Sequence, residues 1–447
     1  LILLRSLVLA LLCTLAAGAA AEPRYYVPEI PADLGAVDFY LLTAGLGPHL
    51  HERFGHTGIR VHDKAKGLDV VFNWGKFSFN EPGFALKFYR GSLTYSMGVR
   101  TMAAEVESFL DAGRRLVQER LQLTSAQKRS LLEKIAWNAR PENRSFAYQY
   151  WYKNCATIPR DYLDEALAGQ VRARFVAAPA GGVVFRDYVR NNLQAIPFVA
   201  PGLDVVMNAN IDRPITKWEE MFLPEKLRET LLEMPQIDDE GKPVSGTRLL
   251  SDTVVLVDEE NDYAAALPDY LLLALIGLVP LGVAGLAFSA KKRRLAFRAL
   301  GWAGIGWGGL SGFVGTALLL NWFASGHPDT WHNANLLVFF PVDWLFLALG
   351  IALVRAGDRI KDRIPFLHAG RVLAAAHLAA LALLVALKLL GLVQQDVWRI
   401  LTWFVVPTAA LSLAYTLLAF GDPVAVRTAR PSSVMGRAAA ARVARLR

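Results

Sequence analysis

Five apolar stretches in the second half of the sequence constrain this chain more than any other feature. They lie at about 269–290, 297–323, 335–354, 372–393 and 397–420. Each approaches the roughly 20 residues that a helix needs to cross about 30 Å of hydrocarbon. The flanks orient them. Lys291-Lys292-Arg293-Arg294 follows the first stretch, and Arg355, Arg359, Lys361, Arg363 and Arg371 lie between the third and fourth. Arg427, Arg430, Arg437, Arg442, Arg445 and Arg447 follow the fifth, whereas 324–334 and 394–396 carry no Lys or Arg. All basic clusters then fall on one side, as the positive-inside rule requires. The reading is an all-α domain of five transmembrane helices at 269–424, with residues 22–268 exported and the C-terminus cytoplasmic.

Composition agrees. With 53% hydrophobic and 20% charged residues, the chain is too apolar for an ordinary soluble protein and too charged to be membrane throughout. The net charge of +8 invites a nucleic-acid partner, but the basic residues sit where membrane topology wants them, so none is expected. Leu1 to Ala21 reads as a signal peptide, with Arg5 before an apolar core and Ala19-Ala20-Ala21 as the cleavage site. Cys13 lies inside it. Leu12 stands where a lipid-anchored cysteine needs a small residue, so Cys13 reads as a passenger.

The exported part, 22–233, reads as α+β. Strands are expected at 37–43, 57–62 and 68–74, the last two joined by a turn at 63–67. Amphipathic helices are expected at 101–120, at 125–140 with Thr124 or Ser125 as cap, and near 224–233. A polar stretch, 234–268, reads as the linker to the membrane, and 425–447 as a basic cytoplasmic tail.

Without the signal peptide, Cys155 is the sole thiol, in Asn154-Cys155-Ala156-Thr157-Ile158-Pro159-Arg160. Proline is tolerated only in the first turn of a helix, so Pro159 places a helix start within a few residues of Cys155. Asn154 and Thr157 are the possible caps. A helix N-terminus and a nearby imidazolium can lower a thiol pKa to roughly 3.5–7.5, and both could act here. The bland alternative is a small buried cysteine at a helix start.

His56, in Phe54-Gly55-His56-Thr57, starts a strand beside a glycine-containing loop and is the better partner for a thiol. His62 is roughly 20 Å further along the same strand. His49 and His51 lie in the preceding loop and stay open, His51 as a substrate contact. Asn73 on the returning strand is the candidate to orient His56. A four-residue loop at 63–66 sets it opposite His56, and a five-residue loop puts Trp74 there instead. Asn154 and Arg160, beside the thiol, are candidate substrate-binding residues. No carboxylate–histidine spacing recommends a metal, and no cofactor is expected.

These segments resemble the Lnb-type lipoprotein N-acyltransferases, a bacterial family with an N-terminal periplasmic and a C-terminal transmembrane domain. The likeness is carried by Phe54-Gly55-His56-Thr57, Phe72-Asn73-Trp74-Gly75-Lys76-Phe77-Ser78-Phe79, Phe84 to Gly91, Asn154-Cys155 with Pro159-Arg160-Asp161, Asp212-Arg213-Pro214-Ile215-Thr216, Met221-Phe222-Leu223-Pro224, and His327-Pro328 with Asn333 to Leu337. The His-before-Cys order also resembles circularly permuted papain-like folds. That resemblance implies Cys155 as nucleophile, His56 as base and Asn73 as orienter, in an inner-membrane protein meeting lipids and lipoproteins. Many of those acyltransferases have histidine where this chain has Asn73. The implied activity moves an ester-linked acyl chain of a diacylglyceryl lipoprotein to its N-terminal amine. A thiol hydrolase acting on cell-wall peptides or lipid esters, and a non-catalytic binding module, are the alternatives.

In the membrane part, Gly304, Gly308 and Gly312 read as a small-residue packing seam. Asp343 is a functional candidate by default, as an intramembrane carboxylate; its place within two turns of the outer end leaves solvation at the interface as the equal alternative.

Overall fold

The structure is a computed structural model that describes residues 26–196, 198–259, 270–356 and 363–420. The expected signal peptide and basic tail lie outside the described residues. The chain divides into two compact units: 1–84, 92–180 and 216–261 form one, and 85–91, 181–215 and 262–447 the other.

The first unit is built on an antiparallel sheet. Its strands are β1 (Val37–Ala44), β2 (His56–Asp63), β3 (Leu68–Lys76), β4 (Thr94–Thr101), β5 (Leu116–Leu121) and β6 (Ser145–Ala147). β7 (Pro179–Val184) and β8 (Pro214–Thr216) form a separate two-stranded ribbon, and β9 (Leu250–Val257) returns to the main sheet. The order is β6-β4-β3-β2-β1-β5-β9. Because side chains alternate along a strand, the two faces carry different cores. Phe39, Leu41, Ile59, Val61, Phe72 and Trp74 pack with Leu131 and Ile135 of the helix Ser125–Ala139 and with Ile158 and Leu163 of the helix Thr157–Ala166. Leu42, Ala44 and Val71 pack on the other face with Met102 and Phe109 of the helix Met102–Asp111.

Two expectations are corrected here. The helix expected at 101–120 stops at Asp111, and Gly113, at φ 57°, turns the chain into β5. β5 carries a helix-like polarity pattern but runs between β1 and β9, where Glu119 is fully buried against Arg228 at 2.6 Å. The stretch read as a linker contains β9, whose Thr253-Val254-Val255-Leu256-Val257 run supplies a sheet edge. The capped helix after Thr124 is present, and a reciprocal Thr124–Gln127 capping box starts it.

The second unit is helical. Among the described residues, three helices are long and apolar enough to cross a membrane: Arg293–Ala324, Ile364–Leu389 and Trp398–Ala419. A fourth arises if the pair Pro328–Leu337 and Pro341–Arg355, bent by 54°, is one span. The expected five therefore become three or four. The third stretch breaks because Pro341 cannot continue a helix ladder, so 3-10 turns at Ala334–Leu337 and Pro341–Asp343 precede a short helix, Trp344–Arg355. The first stretch is helical over Tyr270–Ser289, with part of it beyond the described side chains, and is not among those spans.

Polar side chains hold the broken segment. Asn333 and Asn335, both buried, donate to the carbonyl of Val205, and Asn335 also donates to that of Asp204. Arg186 bridges Asp204 and Asp212, and Arg190 bridges Asp204 and Asp396. Asp343 is buried; it accepts from Ser311 at 2.5 Å and lies 3.1 Å from His377. The glycine seam faces the Trp344–Arg355 helix: a Cβ on Gly308 would stand 2.3 Å from the Leu347 amide nitrogen, and one on Gly312 2.8 Å from that of Trp344.

Candidate active site

The β2–β3 turn has four residues, 64–67, and sits one position later than the four-residue reading placed it. Asp63 pairs with Leu68, so Gly58, not His56, faces Asn73. Relative to the loop at 63–66 this is a two-residue shift, and a two-residue shift keeps a side chain on its face. Asn73 is thus diagonal to His56. It reaches across Gly58, where a Cβ would lie 2.9 Å from Asn73 Oδ1. The distance from His56 Nε2 to Asn73 Oδ1 is 2.9 Å.

Behind Asn73 stands a residue that the sequence reading missed. Glu105, on the helix Met102–Asp111, is 4% exposed, and its Oε1 accepts from Asn73 Nδ2 at 3.1 Å. Arg100 lies 3.8 Å from its other oxygen. Burial pushes the Glu105 carboxyl up, while Asn73 and Arg100 pull it back. Nothing local in the sequence marks Glu105, because its partner belongs to another element.

Cys155 precedes the helix Thr157–Ala166 in a turn closed from both ends. Asn154 Oδ1 accepts from the amides of Ala156 and Thr157, and Thr157 Oγ1 accepts from the Asn154 amide. Asn154 Nδ2 donates to the carbonyls of Tyr150 and Phe222. A carboxamide offers two donors and two acceptor sites, so Asn154 is saturated. Its side chain holds together the turn that carries Cys155.

Arg160 is also held by the protein. It is buried, stacks on Trp218 at 3.8 Å, donates to the Trp218 carbonyl and pairs with Asp161. His51 stacks on His49 and meets Phe77 and Phe79 edge-on. Its surroundings are aromatic, and they continue from Phe77 through Tyr95 to Tyr148.

Tyr148 and the backbone of Thr57 both act on the Cys155 thiol, each drawing its pKa down. Thr57 directly follows His56, and recorded β2–β3 pairing ends at Gly58 and Asn73. Gly75, at φ 105°, has no side chain to fill the place beside Cys155; a Cβ there would lie 4.0 Å from that of Cys155. His56 arrives on the face covered by Glu105, and the Cys155 helix packs on the other face. Arg114 is an electrostatic neighbour of both His56 and Cys155.

Both groups are neutral at pH 7. Burial lowers the His56 pKa to about 4, against the Asn73 hydrogen bond, and Arg114 and Arg100 lower it further. Burial pushes the Cys155 thiol up to about 11, against hydrogen bonds from Thr57, its own backbone and Tyr148. The expected lowering by a helix terminus and an imidazolium is overturned, since desolvation penalises both charged forms. A proton on the thiol and a lone pair on the imidazole can support attack by general-base transfer.

Among the described residues, no group of three or more His, Cys, Asp or Glu side chains could hold a metal ion.

Residues 31–190 match the family model described as the Lnb N-terminal periplasmic domain. No curated protein and no solved structure gives a match. The matched span holds His56, Asn73, Glu105, Tyr148 and Cys155. The chain therefore carries an Lnb N-terminal periplasmic domain over residues 31–190, followed by a helical region with candidate membrane spans.

Proposed function

We propose that this chain is a membrane-anchored thiol acyltransferase of the bacterial inner membrane, with its C-terminus cytoplasmic. It moves an ester-linked acyl chain of a diacylglyceryl lipoprotein to the lipoprotein's N-terminal amine through a Cys155 acyl-thioester. The observation that carries this reading is the imidazole of His56 held by Asn73 at 2.9 Å, next in the strand to Thr57, whose backbone acts on the Cys155 thiol.

His56 takes the thiol proton as sulfur adds to the ester carbonyl. The same proton then goes to the departing glycerol oxygen, leaving acyl-Cys155 and a free hydroxyl. In the second half the amine nitrogen adds to the thioester and passes a proton to His56. The C–S bond breaks, and that proton returns to sulfur. The backbone amides of Thr57 and Cys155 are donors suited to an oxyanion. The aromatic run from His51 and Phe79 to Tyr148 suits an acyl chain, and it shields a thioester from water. Three or four membrane spans fit a lipid substrate better than a soluble peptide.

The test is expression of the full chain in cells lacking their own lipoprotein N-acylation, with lipoprotein N-termini read by mass spectrometry. N-acylated lyso-forms are expected. Released fatty acid or cleaved muropeptides would instead indicate the hydrolase, and unchanged lipoproteins and lipids a binding module.

Gly58→Ala is a milder check. The new methyl group meets Asn73 Oδ1 and Val71 and pushes the amide away from His56. Thioester formation in a single turnover is expected to slow by about 10–100-fold, as when an orienting partner is lost, with the fold retained.

A further inference from the structure

We propose that Glu105 fixes the tautomer of His56, acting through Asn73 as a positioning residue. The proposal rests on the reading of His56 as the base. Asn73 has an oxygen at one end of its amide and an NH2 at the other, so either end can face the ring unless something chooses. Glu105 makes the choice. Its Oε1 is an acceptor, and at 3.1 Å it takes the NH2. The amide oxygen must then face His56, at 2.9 Å from Nε2. An oxygen there accepts, so Nε2 carries the hydrogen. A neutral imidazole has only one N–H, which leaves Nδ1 bare as the proton acceptor.

The choice holds while Oε1 carries no proton, the state that Arg100 beside Oε2 and the Asn73 hydrogen bond both favour. Without Glu105, the amide can turn its NH2 toward Nε2. The hydrogen then moves to Nδ1, and the ring presents no lone pair to the thiol. Glu105 also has a second effect. When His56 holds the thiol proton and becomes positive, the carboxylate stands one amide away from that charge.

The test uses the full-length protein in lipid nanodiscs with 15N-labelled histidine. The chain has 8 histidines, and the His56 signals are those missing from His56→Gln. In the wild type at pH 7, Nε2 is expected protonated and Nδ1 bare; a protonated Nδ1 there would overturn the proposal without any variant. Glu105→Met is expected to populate the other tautomer and slow Cys155 acylation by about 10–100-fold. Glu105→Gln keeps an acceptor and is expected to retain the tautomer and most of the rate.

A folded Glu105→Met protein with an unchanged tautomer would sink the idea. Should that variant not fold, the wild-type spectrum decides, because only one of its two tautomers fits. Absence of acylation at Cys155 with the wild-type tautomer as stated would count against the catalytic reading alone.

Discussion

Cys155→Ala in the full-length chain is expected to abolish lipoprotein N-acylation, a loss of about 10⁴-fold or more, as when a covalent nucleophile is removed. Among the described residues Cys155 is the free cysteine, so no second thiol there replaces it. Intact mass spectrometry of the wild type should show one acyl chain per molecule, released by hydroxylamine and missing from the variant. An acyl adduct that persists in Cys155→Ala would refute the thioester.

The pH dependence of acylation follows from the neutral starting pair. As pH falls through about 4, solvent protonates His56 and removes the base, so the acid limb lies near 4. It does not lie near the ordinary imidazole value of roughly 6.5. The thiol stays protonated up to about 11, so a broad plateau separates the limbs. Stability follows the same sign. Between about 6.5 and 4 the unfolded chain binds a proton at this histidine that the folded chain refuses, so the His56 contribution to stability falls as pH falls through that window.

Gly308→Ala is expected to destabilise the helical unit by roughly 2–3 kcal/mol, the upper part of the range for overpacking. The reason is the nature of what the methyl group meets. A flexible side chain could swing aside, but the nearest atoms are the Leu347 nitrogen at 2.3 Å and the Asp343 carbonyl oxygen at 2.7 Å, both backbone. The helices Arg293–Ala324 and Trp344–Arg355 would have to separate, and the Ser311–Asp343 bond lies between the same two segments. Gly306→Ala is the matched control. Its Cβ would meet nothing within 4 Å, so only the helix preference of alanine over glycine remains, about 1 kcal/mol in favour. Thermal unfolding of the two variants in detergent separates packing from propensity. Equal transition temperatures would show that the seam is not under the constraint described.

The sequence by itself determined the local features. Continuous apolar runs must become helices in lipid, the spacing of Gly304, Gly308 and Gly312 puts them on one helix face, and Pro159 pins the start of the Cys155 helix. On the four-residue reading, alternation in β2 and β3 put Asn73 on the His56 face, and it stayed there although the turn sits one position later, because a period of two is indifferent to a shift of two. What depended on partners far along the chain was decided only in three dimensions. β5 and β9 became strands because β5 pairs with β1 inside the sheet and β9 pairs with β5 at its edge, despite patterns that read as helix and linker. Asn154 and Arg160 were committed to Phe222 and Trp218, many residues away. Glu105 acquired its role only when a helix folded over Asn73, and the thiol became less acidic because burial outweighed the helix terminus. Hydropathy and turn chemistry act between near neighbours, whereas desolvation and hydrogen-bond partnership exist only once distant segments have packed.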